Sequence, residues 1–104
     1  MKLQELTKHI LFIGLADKDT KKQEISTKRA KELIAKTFGD CTISDATGIY
    51  THQDGTGTVK EKTLRVEMLF KTDKEVIKNV KVIKALLNQE TVALQRQKVD
   101  STLI

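Results

Sequence analysis

The chain has no tryptophan and no proline, a single cysteine and a single tyrosine, and only three phenylalanines. Each shortage removes a class of protein. Cys41 without a second cysteine excludes an internal disulfide framework and a cysteine-based zinc cluster, and it suits a reducing cytoplasm. His9 and His52 are the only histidines and neither has a partner at metal-ligand spacing, so both read as strand-end or surface residues and no metal is expected. With so few rings, the core must come from Ile, Leu, Val, the phenylalanines and two methionines. The only long apolar run, residues 9–16, is too short to cross a bilayer, and residues 1–8 contain no apolar stretch of the kind that opens a secretory signal. A membrane role is therefore not expected. Gly-rich residues 54–57 lack the Lys-Ser/Thr that completes a phosphate loop and read as a hairpin tip. No catalytic or cofactor motif stands out, and no cofactor is expected.

What is present supports one domain over residues 1–104. The 104 residues are 38% hydrophobic, enough for one modest core and too few for a second. The formal charge of +5 would favour nucleic acid, anionic lipid or a phosphorylated ligand. Lysines spread thinly supply most of that excess, so nucleic-acid binding is expected to be slight.

Residues 9–16 are apolar on both alternating faces, the mark of a central strand. A helix is predicted from Ser26 as N-cap to Gly39 as terminator, with Ala30, Leu33, Ile34, Thr37 and Phe38 on one face. Residues 41–50 read as a second strand. Residues 63–71 alternate cleanly, with Leu64, Val66, Met68 and Phe70 on one side, and the Asp54-Gly55 pair predicts the hairpin between these strands. Thr72 and Glu75 fit a capping box opening a second helix. Its buried stripe is Val76, Val80, Ile83 and Leu87, widened by Ile77 and Leu86, while Lys74, Lys78 and Lys81 form its solvated face. Asn88 is the expected stop, and residues 91–99 read as a fourth strand.

The order strand, helix, strand, strand, helix, strand, with right-handed crossovers, predicts an α+β, ferredoxin-like βαββαβ fold, a four-stranded antiparallel sheet with both helices on one face. If Ile10, Phe12, Leu64, Val66, Met68 and Phe70 face the helices, Leu11, Ile13, Leu15 and Leu69 form an apolar patch on the open face. Such a patch predicts a homo-oligomer interface.

The stretch from Leu11 to Leu15, the helix from Ser26 to Gly39, residues 42–50, Asp54-Gly55 and residues 59–64 resemble a family of small bacterial ferredoxin-like domains of unknown function. The topology is also similar to that of PII-like nucleotide-binding regulators. That resemblance implies ligands held between subunits by the loop after the second strand and by the end of the fourth. Residues 88–91 replace the Gly-rich basic loop that PII proteins carry before the last strand.

Arg65, Arg96 and Lys98 lie on predicted strands, and with Lys60, Lys62 and Tyr50 they are the candidate ligand-binding residues. Arginine grips phosphate through paired bonds and tyrosine stacks on a base. The plainer alternative is an ion pair of Arg65 with Glu61 or Glu67. Cys41 as a nucleophile would need a His and an Asp to converge on it, so a small core residue is the expectation. The leading functional expectation is a non-enzymatic homo-oligomer that holds or sequesters a small anionic, nucleotide-like ligand. The Lys-rich, Pro-free composition is in keeping with a phage protein acting against host nucleotide signalling, which needs binding and no chemistry. The alternatives are a small dimeric α+β-barrel enzyme using Tyr50, His52 or Asp45 as acid or base, and a nucleic-acid or protein adaptor.

Overall fold

A computed structural model describes residues 2–51 and 55–104. The elements are β1 (Gln4–Gly14), α1 (Thr27–Phe38), β2 (Thr42–Thr51), β3 (Thr58–Met68), α2 (Asp73–Leu86) and β4 (Ala93–Ser101). Neighbouring strands pair antiparallel in the order β2-β3-β1-β4, so β1 and β3 occupy the middle. The fold is the ferredoxin-like α+β arrangement that the element order predicts.

Local chemistry sets the helix ends. The Ser26 hydroxyl accepts the Arg29 N–H at 3.1 Å, and Gly39, at φ +76°, turns the chain out of α1. Thr72 accepts the Glu75 N–H at 3.1 Å, and Asp73 and Glu75 place negative charge at the positive end of α2. Asn88 takes the left-handed conformation just past α2, as a helix stop should. The turn predicted at Asp54-Gly55 falls partly outside the described residues, since Asp54 lies there with His52. The hairpin it would close is present, with Thr51 opposite Thr58.

Strand β3 ends at Met68, short of the expected Lys71. Phe70 is left-handed at φ +62°, which breaks the extended backbone and leaves a ring expected in the core 62% exposed. Ile77 and Leu86, expected to widen the buried stripe of α2, are exposed as well. Val76, Ile83 and Leu87 are buried there as predicted.

The largest correction concerns the faces of β1. Ile13 sits opposite Leu64, Leu11 opposite Val66 and His9 opposite Met68. Directly opposed residues of an antiparallel pair project to the same side. Leu11, Ile13 and Leu15 therefore join Leu64, Val66 and Met68 beneath the helices, in one cluster with Ala30, Ile34, Phe38, Val76, Ile83 and Leu87. They are buried within the single chain and do not form the predicted oligomer interface. Ile10 and Phe12 take the open face instead. The error is one of parity, because a shift of one residue reverses every side chain of a strand. Leu69, the fourth predicted interface residue, is half-buried beyond the end of β3.

Among the described residues no helix is long and apolar enough to cross a membrane.

Ion pairs fasten the surface to this core. His9 Nε2 lies 2.7 Å from Asp73 Oδ1, and Arg96 Nη1 lies 2.6 Å from the other Asp73 oxygen, joining β1, β4 and the start of α2. The hydrogen bond from His9, with the charge of Arg96, holds the Asp73 carboxyl below its ordinary range. Hydrogen bonds from Lys31 and Lys62 do the same for Asp45, and those from Arg65 and Lys8 for Glu67. A carboxyl whose pKa is depressed by folding stabilises the native state above its unfolded value and loses that contribution as pH falls through the folded value.

Two outcomes are expected. Thermal denaturation followed by circular dichroism should give a melting temperature that is flat near neutrality and falls once the pH drops into the ordinary carboxylate range, where the unfolded chain takes up protons before these carboxyls do. Ile13→Ala, at a fully buried position, should lower unfolding free energy by about 2–5 kcal/mol in urea titrations. A near-neutral result would contradict its place in the core.

Candidate functional site

The stagger of the sheet creates the site. Strand β3 pairs with β1 only from Thr63 to Met68, whereas it pairs with β2 from Thr58 to Glu67. The β2–β3 ribbon therefore runs past the end of β1 and leaves a notch beside Gly14. A cavity of about 270 Å³ fills this notch, walled by Phe12, Tyr50, Val59 and Ala93, with Glu61 at Gly14 and with Lys18 and Lys21 at the edge.

The acid is held by two devices. A Cβ at Gly14 would overlap the Glu61 carboxylate, so glycine here provides the space in which the acid lies against β1. The Ala16 N–H then donates to Glu61 Oε2 at 2.8 Å, one residue beyond the last β1–β3 backbone bond, Leu15 N–H to the Lys62 carbonyl at 3.0 Å. Glycine acts similarly at position 48. A Cβ there would overlap the Tyr50 ring and the Thr63 hydroxyl, so the ring lies down on the backbone of β2.

Lys18 and Lys21 line the cavity together with the acids Asp17 and Glu90, and their loop after β1 is fastened to the end of α2. Asp17 Oδ1 accepts the N–H groups of Asp19 and Thr20 at 2.8 and 3.1 Å. The Asn88 amide donates to Asp17 at 3.0 Å and Asp19 at 2.8 Å, and the Lys18 N–H donates to the Asn88 carbonyl at 3.0 Å. The hydrogen bond from Asn88, reinforced by those from Thr20 and Asp19, holds the Asp17 carboxyl below its usual range. Gln89 is buried and donates to the Ala16 carbonyl at 2.8 Å. Ala16 is thus gripped at both its N–H and its C=O by side chains.

The candidate residues predicted for one anion site fall on both faces of the sheet. Tyr50 lines the cavity on the open face. Arg65, opposite Phe12 in the register, is on that face too, but its guanidinium lies 5.6 Å from the Phe12 ring centroid and 2.9 Å from Glu67 Oε1, in the cluster completed by Lys8. Arg96, opposite His9, points to the helix side and is tied to Asp73. Lys98 is 3.3 Å from Glu5, and Lys62 shares Asp45 with Lys31. Lys60 opposes Ile49 and shares the side of Lys62, so it too lies away from the cavity. Period-two alternation forbids the single chain from gathering these residues.

Asp45 and Tyr50, two of the three residues named as acid or base for the enzyme alternative, occupy opposite faces for the same reason, and His52 lies outside the described residues. Burial pushes the Cys41 thiol up, away from the reactive thiolate. Sequence reasoning did not single out Glu61, Lys18 or Lys21 as site residues. The usable signals were glycines inside two strands, at positions 14 and 48, where a neighbouring side chain needs room.

No protein-family description and no curated protein sequence matches the chain. Solved structures do. A phage SAM lyase in its apo state is 16% identical with a TM-score of 0.65, covering 94% of this chain and 86% of its own. The SAM lyase in complex with S-methyl-5'-thioadenosine superimposes with a TM-score of 0.62, also at 16% identity, over 92% of this chain and 90% of its own. CPII, a nitrogen regulatory PII-like protein from Thiomonas intermedia bound to ADP, AMP and bicarbonate, is 10% identical with a TM-score of 0.54, over 99% of both chains. At these identities the likeness is one of fold.

Gly48→Ala should force the Tyr50 ring off β2. Because the chain has one tyrosine and no tryptophan, tyrosine emission reports that ring alone. We expect a changed emission intensity and easier quenching by iodide, with the far-UV spectrum unchanged. Emission identical to the wild type would show that the ring does not depend on the glycine.

Proposed function

We propose that the chain binds a small adenine-nucleotide-type molecule in the notch of the open sheet face and holds it without converting it. The carrying observation is the cavity itself, with aromatic walls at Phe12 and Tyr50 and with Lys18 and Lys21 beside Asp17 and Glu90 in a lining held by the Asp17–Asn88 clasp. Its volume of about 270 Å³ is near the lower end of small-molecule sites, the size of one nucleoside unit and too small for a dinucleotide. Stacking on aromatic rings suits a base, and Lys18 and Lys21 suit a phosphate. The ligands named for the similar folds, S-methyl-5'-thioadenosine in one and ADP and AMP in another, support the choice of adenine compounds.

The same reading includes a second copy of the chain over the open face, where Phe12 and Tyr50 would take the place first given to Leu11, Ile13 and Leu15. Native mass spectrometry should give a mass above one subunit, and a monomer at micromolar concentration would remove this part of the proposal. The setting we propose is a phage protein that withholds a nucleotide signal from its host.

One observation favours an enzymatic alternative. Glu61 presents a carboxylate inside the cavity with no cationic side chain paired to it among the described residues, which is how a general base is placed. The binding samples therefore also decide between the readings when analysed by chromatography.

Calorimetry with AMP, ADP, S-methyl-5'-thioadenosine and SAM should reveal binding of AMP, with quenching of the tyrosine signal. Tyr50→Ala should weaken it by roughly tenfold or more, since stacking on an aromatic contributes about 1–3 kcal/mol. Arg96→Ala, on the opposite face, should leave it unchanged. Failure of AMP to bind would end this reading, and a new product peak would establish the enzymatic alternative.

A further inference from the structure

Resting on the nucleotide reading, we propose that Glu61 reads the sugar, its carboxylate accepting hydrogen bonds from the vicinal 2′- and 3′-hydroxyls, so that the site selects ribonucleotides over deoxyribonucleotides. Glu61 stands apart from its neighbours on the sheet. Glu5, Asp45 and Glu67 each sit within 3.3 Å of a cation, whereas Glu61 has no such partner among the described residues and is held by the Ala16 N–H through one oxygen. The other oxygen, Oε1, lies over Gly14 beside the cavity, where any side chain at position 14 would displace it. A glycine conserving space for a carboxylate, and a backbone N–H fixing its angle, make a preorganised acceptor.

A carboxylate only accepts, so what it meets on a ligand must be a donor. An adenine nucleotide offers two kinds of donor, the amine of the base and the hydroxyls of the sugar. The base is matched by the rings of Phe12 and Tyr50. The phosphate is repelled by Glu61 and attracted to Lys18 and Lys21, which line the cavity with Asp17 and Glu90. Between base and phosphate lies the sugar, whose donors are its hydroxyls. A fixed acid facing two adjacent hydroxyls accepts from both, and each such charge-assisted bond is stronger than a neutral one.

The test is calorimetry with AMP, 2'-deoxy-AMP and 3'-deoxy-AMP on the wild type and on Glu61→Gln. The wild type should bind each deoxy compound at least tenfold more weakly than AMP. The glutamine variant keeps the shape and the contact to Ala16, and it should bind AMP more weakly while losing most of the preference. Circular dichroism confirms its fold, and the wild-type comparison needs no variant at all. Equal binding of the three compounds would overturn the sugar assignment and leave the nucleotide reading standing. A full preference retained in Glu61→Gln would also overturn it. If AMP itself does not bind, both proposals fall together.

Discussion

The pairing of β1 with β3 governs the rest of the molecule. Its register sets Leu11 against Val66 and Ile13 against Leu64, and these four side chains, all fully buried, are the floor on which both helices rest. Because side chains alternate with a period of two, that one register decides the content of both faces together. The odd-numbered residues of β1 go to the core. What remains for the open face is Lys8, Ile10, Phe12 and Gly14, a row that grades from charge through an aromatic ring to bare backbone. The cation cluster around Glu67 and the cavity around Glu61 are the two ends of that row.

Amplitude of pattern explains what could be read beforehand. Strand β3 has Leu64, Val66 and Met68 alternating with Arg65 and Glu67, and its buried side was legible from the polar residues alone. Strand β1 has apolar residues at both parities, so nothing local marks its core side, and only the pairing with β3 resolves the choice. The same strand pair carried the mistaken interface, since Leu11, Ile13 and Leu15 moved to the wrong face as one set. The helix ends at Ser26, Gly39 and Thr72 were legible because capping is local chemistry.

The site was legible in part. Tyr50 was recognised by type and stands in the cavity wall. The basic strand residues were not distinguishable from ion-pair partners, because proximity of Arg96 to Asp73 or Lys62 to Asp45 depends on residues distant in sequence. Lys18 and Lys21 carry no local pattern, yet their loop is fastened by Asn88, some seventy residues away. Glu61 was visible only as a charge neighbouring Arg65. Its distinguishing property is the void at Gly14, and a void has no signature until two strands are laid side by side.

The place of β4 has a consequence for how the chain reaches this state. It fills the edge of β1, with Gln4 opposite Ser101 and Phe12 opposite Ala93. In sequence, β1 comes first and its second neighbour comes last, after both helices and the hairpin. Until then the backbone donors and acceptors along one side of β1 are open to any extended segment nearby. Pairings this distant in sequence form late and slowly. Any form of this fold that lacked β4 would leave that edge of β1 bare, the surface most exposed to mispairing between copies.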